Sequence, residues 1–101
     1  MYKGGSDFAN IGLVPGAKMY CLHMNDYPAE PNRQQIGDKD RVHCGDGVAP
    51  LSLILRTLAR GGFAGTLSLE LFNRTYWQQP PQEVALTGIE KMKAAVSKAF
   101  A

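Results

Sequence analysis

The stretch Thr66-Leu67-Ser68-Leu69-Glu70-Leu71-Phe72-Asn73 restricts the fold of this chain more than any other. It alternates aliphatic and polar residues, and the side chains of a strand change face at every residue. Leu67, Leu69 and Leu71 therefore form an aliphatic face that needs a helix packed on it. Thr66, Ser68 and Glu70 form a small polar face with a single carboxylate near the C-terminal end. The pattern leaves two readings of Glu70 open. It is a carboxylate in water on an amphipathic strand, or an inward-facing carboxylate at the C-terminal mouth of a parallel barrel, where such folds keep their chemistry.

What precedes this stretch bears on the choice. Lys18 to Asn25 reads as another strand, with Tyr20, Leu22 and Met24 on one face and Met19, Cys21, His23 and Asn25 on the other. Pro50 to Arg60 reads as a helix. Pro50 suits its first turn, Leu51, Ile54, Leu55 and Leu58 recur at helical spacing, and Gly61-Gly62 stops it. Strand, loop, helix and strand in that order make a βαβ unit, whose strands run parallel with a right-handed crossover. His23 and Glu70 are then expected at matching strand ends, over one rim. Taken alone, His23 is the more ordinary structural histidine. Paired with Glu70, the metal-ligand reading stands level with it.

The remaining segments carry less. Gly4-Gly5 is a turn signal, and Asp7 to Leu13 a weakly helical piece capped by Ser6 or Asp7. Asp26 to Ala49 is a long loop, of a length that is usually functional or disordered. Within it Asp38-Lys39-Asp40-Arg41 reads as a solvated surface turn. Gly45-Asp46-Gly47 reads as a tight turn, well short of a nucleotide fingerprint. Asn73 to Gln79 is a polar loop with Tyr76 and Trp77. Gln82 to Phe100 is the longest helix, with a buried stripe of Val84, Ala85, Ile89, Met92, Ala95, Val96 and Phe100. Lys91, Lys93 and Lys98 lie off that stripe and suit the helix dipole.

Composition narrows the class of protein. A length of 101 residues allows one small domain with one core. A net charge of +2, with no Lys/Arg run, argues against nucleic acid as a partner. No apolar stretch approaches a membrane span, and no apolar signal region follows Met1 to Asp7. Cys21 and Cys44 are far apart and outside any Cys-x-x-Cys pair, so no disulfide framework is expected. A reducing cytoplasm is the expected compartment.

The order of three segments carries a resemblance. Leu22-His23-Met24-Asn25-Asp26 is followed by Arg41-Val42-His43-Cys44-Gly45-Asp46-Gly47, and then by Leu67-Ser68-Leu69-Glu70-Leu71-Phe72. Over essentially the whole chain this resembles the C-terminal part of the xylose isomerase-like TIM barrels, the sugar phosphate isomerase/epimerase family. The resemblance implies an α/β fold: a partial (β/α)8 TIM barrel made of the last two parallel strands with their helices. In that family a divalent metal (manganese, magnesium, cobalt or zinc) sits at the barrel mouth. Two glutamates, an aspartate and a histidine hold it.

His23 matches the metal-binding histidine. Glu70 matches the last glutamate, which is both metal ligand and catalytic acid–base. Arg41 falls where some epimerases place a substrate-binding arginine, although Cys44 replaces the proline usual in the turn that follows. Asp26 stands where relatives carry an acidic residue, between a supporting role behind the ligands and an ordinary surface position. The other two ligands belong to sequence that family members carry upstream. The chain is thus expected to be a C-terminal fragment with an incomplete metal site. The implied substrate is a sugar or sugar phosphate, and the implied reaction is proton transfer next to a carbonyl. The isolated chain is expected to be inactive, with open sheet edges prone to self-association. Dehydratase or endonuclease chemistry on the same rim, a half-barrel completed by a partner chain, and a non-catalytic βα module are the alternatives.

Overall fold

The computed structural model describes residues 1–101. Helix α1 spans Leu51–Arg60, with Pro50 as its N-cap. Leu55 and Leu58 of the expected stripe are buried, and Leu51 and Ile54 are half-buried. The chain then turns through Gly61 and Gly62 into strand β2, Thr66–Leu69, which pairs in parallel with β1, Cys21–Met24. Leu22 lies opposite Leu67, His23 opposite Ser68 and Met24 opposite Leu69. The βαβ unit expected from the alternation is present.

β1 begins later than Lys18. Gly16–Lys18 forms a 3-10 turn instead, docked on the end of α1 by the Gly16 N–H donating to the Gly61 carbonyl at 2.8 Å. Tyr20 does not join the aliphatic face. It is 82% exposed, because it precedes β1 and lies beyond the cover of either helix. Before that turn, a 3-10 helix over Phe8–Leu13 is capped by the Asp7 carboxylate, which accepts from the Ala9 N–H at 2.9 Å.

Helix α2, Pro81–Ala99, supplies the other cover. Its buried residues are Gly88, Met92, Ala95 and Ala99. Met92 and Ala95 belong to the stripe expected from apolar spacing and Val84 and Val96 are half-buried, while Ala85, Ile89 and Phe100 of that stripe are exposed. Leu86 is exposed as well. The reason lies at Gly88, where an added Cβ would lie 2.4 Å from Leu69 Cδ2. At Gly88 the helix comes close to the sheet with no side chain between them, and Leu86, Ile89 and Phe100 turn outward while Met92 stays in the core. Met24, Cys44, Leu55, Met92, Ala95 and Ala99 form the core, with Leu22, Leu67 and Leu69 against it.

The 26–49 connection is structured. Asp26 and Val42 form an antiparallel bridge through reciprocal bonds of 2.9 and 3.0 Å. Ile36, His43 and Cys44 of this segment are buried. A 3-10 turn covers Asp38–Asp40, and the Asp40 carboxylate accepts from the Gly37 N–H at 2.9 Å.

One face of the sheet is left uncovered. The accessible surface is 6609 Å², against about 5,600 Å² for a compact monomer of this mass. The radius of gyration is 13.7 Å, against about 12.7 Å for a compact chain of this length. No helix is long and apolar enough to cross a membrane.

Candidate functional site

The uncovered face carries the polar groups. His23 and Ser68 are register partners, and Glu70 follows two residues after Ser68, so all three share the face opposite the core. Glu70 lies just past the end of β2, and its N–H donates to the Met24 carbonyl at 3.3 Å. His23 and Glu70 are therefore offset by two positions along the strands rather than level. The glutamate still reaches back, and its Oε1 lies 3.4 Å from His23 Nδ1. Both side chains are open to solvent, at 58% and 36% exposure.

Arg41 completes the cluster. The Asp38–Arg41 segment is not a solvated turn at its last residue. Arg41 Nη1 donates to Glu70 Oε2 at 2.6 Å and Nη2 to Asp38 Oδ1 at 2.6 Å. The guanidinium also lies over the Phe72 ring, 5.2 Å from its centroid. Asn73 Nδ2 donates to the Arg41 carbonyl at 3.1 Å. Residues far apart in sequence thus hold one cation against one carboxylate. Beside them a cleft of about 300 Å³ opens between the N-terminal segment, β1 and α1. Tyr2, Phe8, Leu22 and Ile36 are among its apolar walls, with His23 and Arg41 at its lip.

Asp26 lies on the other side of the sheet, in step with Met24. It is 1% exposed. Its Oδ1 accepts from the Tyr27 and Ala49 N–H groups, each at 2.8 Å, and its Oδ2 from the Gly45 N–H at 2.9 Å. Gly47 lets the backbone pass close by, since a Cβ there would lie 2.4 Å from Asp26 Oδ1. Asp26 is a buried anchor for the 43–49 turn and makes no bond to His23 or Glu70.

His43 was not singled out by the sequence. It is 4% exposed, stacks on Tyr76 with ring centroids 4.5 Å apart, and its Nδ1 has no hydrogen-bond partner. Burial, and then the Lys91 ammonium, push its pKa below the ordinary value, with Asp46 opposing. A lone buried histidine has no periodic signal, and the aromatic partner lies on a different loop.

The fit to a divalent metal is partial. Two ligands on a tetrahedral metal with bonds of ~2.1 Å lie about 3.4 Å apart, which matches the His23–Glu70 spacing. An imidazole nitrogen and a carboxylate oxygen are suitable donors. No group of three His, Cys, Asp or Glu side chains converges anywhere in the chain. The chain thus offers two corners of a site, and one oxygen of its carboxylate is held by Arg41.

Parallel strands joined by a crossover helix, with outer faces under helices and polar groups at one rim, define a piece of a β/α barrel. The family model described as xylose isomerase-like TIM barrel matches residues 1–95, and the chain belongs to that family. Over 99 residues it is 32% identical to an inosose isomerase of Halalkalibacterium halodurans and 33% identical to one of Bacillus velezensis, in each case over 95% of this chain and 34% of the relative. A 1.8 Å crystal structure of the IolI protein with a bound zinc atom superimposes with a TM-score of 0.86 at 30% identity, over 96% of this chain and 34% of that one. The chain spans about a third of the length of the curated relatives it matches.

Proposed function

We propose that this chain supplies the His23–Arg41–Glu70 part of the active-site rim of a metal-dependent sugar isomerase or epimerase. The observation that carries this is the 3.4 Å approach of His23 Nδ1 to Glu70 Oε1 on one open face of two parallel strands. The inosose isomerase relatives point to a cyclic polyol ketone or a related sugar as substrate. His23 and Glu70 would hold two corners of a divalent metal, which when bound would supply Lewis-acid polarisation of the substrate oxygens. Of this chain's own residues, Glu70 takes or returns the proton beside the carbonyl, and Arg41 orients a substrate oxygen at the cleft lip.

Two corners do not make a catalytic site, since three protein ligands with an open position are the usual minimum for zinc. The 101-residue chain alone is therefore inactive in this proposal. Incubated with inosose or a ketose and manganese, magnesium, cobalt or zinc, the purified chain should give no turnover. Turnover that Glu70→Gln abolishes would overturn this. Co-expression with the first two-thirds of an inosose isomerase barrel should restore activity, and Glu70→Gln should remove it again. Retained activity in that variant would end the acid–base role.

The open edge of β1 favours a companion reading, in which the segment works by docking on other strands. The Thr66 and Glu70 N–H groups bond the Tyr20 and Met24 carbonyls, so the backbone groups of Cys21 and His23 face away from β2. Unpaired edges invite another chain. Ultracentrifugation should show association, and a strict monomer with sharp cooperative unfolding would count against it.

A further inference from the structure

The guanidinium of Arg41 sits where it decides what Glu70 can do. It does not hang from a loop in solvent. Asp38 holds one arm at 2.6 Å, Glu70 holds the other at 2.6 Å, and Phe72 lies under the plane. The backbone of Arg41 is tied down as well, by the Asn73 side chain. Such split-fork pairing of one arginine to two carboxylates is directional and stronger than a lysine contact. Meanwhile Glu70 Oε1 faces His23 at the spacing of two ligands on one metal. The same carboxylate thus has a cation on one oxygen and a ligand partner beside the other.

We propose that Arg41 is an internal competitor for divalent metal at the His23–Glu70 pair: while its fork holds Glu70, the pair binds a divalent cation poorly, and taking Arg41 away opens it. The physical basis is twofold. A fixed positive charge beside the carboxylate repels an incoming dication. The arginine also engages an oxygen that a metal would otherwise draw on for a second bond. This rests on the reading of His23 and Glu70 as metal ligands, and goes beyond it by giving Arg41 a role toward the metal. Any anionic group that draws Arg41 off Glu70 would then ready the carboxylate for metal, which couples the two occupants of the rim.

The test is a manganese titration of the full 101-residue chain, followed by paramagnetic broadening of the His23 and Glu70 amide resonances. Wild type should bind weakly at these residues. Arg41→Met keeps an apolar stem over Phe72 and removes the charge, and should tighten manganese binding at least tenfold. Arg41→Lys keeps the charge and loses the fork, and should fall between the two. It also keeps the test decisive where the Met variant does not fold, because binding no tighter than wild type in Arg41→Lys overturns the competition. The double variant Arg41→Met/His23→Ala should lose the gain. Equal manganese affinity in wild type and Arg41→Met would overturn the competition and leave the ligand pair standing. A gain that survives His23→Ala would place the ion elsewhere and overturn it too. Absence of broadening at residues 23 and 70 in every variant would remove the ligand pair itself, and the competition with it.

Discussion

The two faces of the same two strands have opposite character. Toward α1 and α2, Met24, Leu22, Leu67 and Leu69 meet a core closed by Leu55, Met92, Ala95 and Ala99. Away from the helices, Cys21 and His23 are exposed and Glu70 half-exposed, with the glutamate facing His23 and Arg41. Adjacent residues on one strand therefore differ in kind: Met24 is 2% exposed and His23 is open. One face is finished by the chain's own helices. The other is a surface whose polar groups are arranged without anything to enclose them. In a segment about a third as long as its relatives, packing is local to the βαβ unit, while the rim draws on residues from several strands.

The sharpest way to break that contrast is to truncate neighbours. Met24→Ala removes a fully packed side chain and should cost about 3 kcal/mol, lowering Tm by more than about 10 °C for a domain of this size. His23→Ala should change stability by less than about 0.5 kcal/mol. Calorimetry or urea titration of the two variants reads the difference directly. Similar losses at both positions would mean that the open face is packed in solution. Slightly below Met24→Ala comes Asp26→Ala, which removes a buried carboxylate that three part-buried N–H groups bond and should cost about 2 kcal/mol. Its effect should appear as early amide exchange over residues 43–49. Unchanged exchange there would remove the anchor role.

How much of this was legible in the sequence follows from the range of each interaction. The α1 stripe and the parallel βαβ order were readable because period and chain order are local properties. The shared face of His23 and Glu70 followed from strand alternation alone. The α2 stripe was readable only in part: spacing finds Met92 and Ala95, but it ranks Ile89 and Phe100 above Gly88 and Ala99, which are the residues buried. Only the close approach of Leu69 to Gly88 reveals where the helix meets the sheet. Asp26 and His43 were opaque for another reason. Their burial depends on turns and aromatic partners 19 to 33 residues away, and no period announces such contacts. Arg41 was placed by resemblance, but its hold on Glu70 needed coordinates.

A smaller effect probes the rear of the covered side by pH. His43 is buried with its pKa lowered from 6.5 by burial and by Lys91. Below pH 6.5 the unfolded chain takes up a proton that the folded chain refuses, so the unfolded state binds more protons. Stability is full above that pH and falls as pH drops toward the depressed folded value. Urea midpoints between pH 7.5 and 5.5 should decline in wild type. His43→Phe keeps the stack on Tyr76 and should flatten that decline. An unchanged slope in the variant would assign the loss to other groups.

The smallest perturbation leaves the fold intact and uses one thiol on each face. Cys44 lies in the core and its pKa is pushed up to about 11, first by burial and then by the Asp26 carboxylate. With that value only ~0.1% of it is thiolate at pH 8, and the thiolate is the reacting form. Cys21 is exposed on the face that carries His23. Iodoacetamide at pH 8 should therefore label Cys21 and spare Cys44 until the chain unfolds, which peptide mass mapping resolves. The two thiols then report separately: Cys44 on the integrity of the helix-covered side, and Cys21 on occupancy of the open one. Protection of Cys21 that grows with protein concentration, with Cys44 silent throughout, would mean that a second chain covers the polar face. Rapid labelling of both would mean that the covered face is no better closed than the open one, and the contrast between the faces would fail.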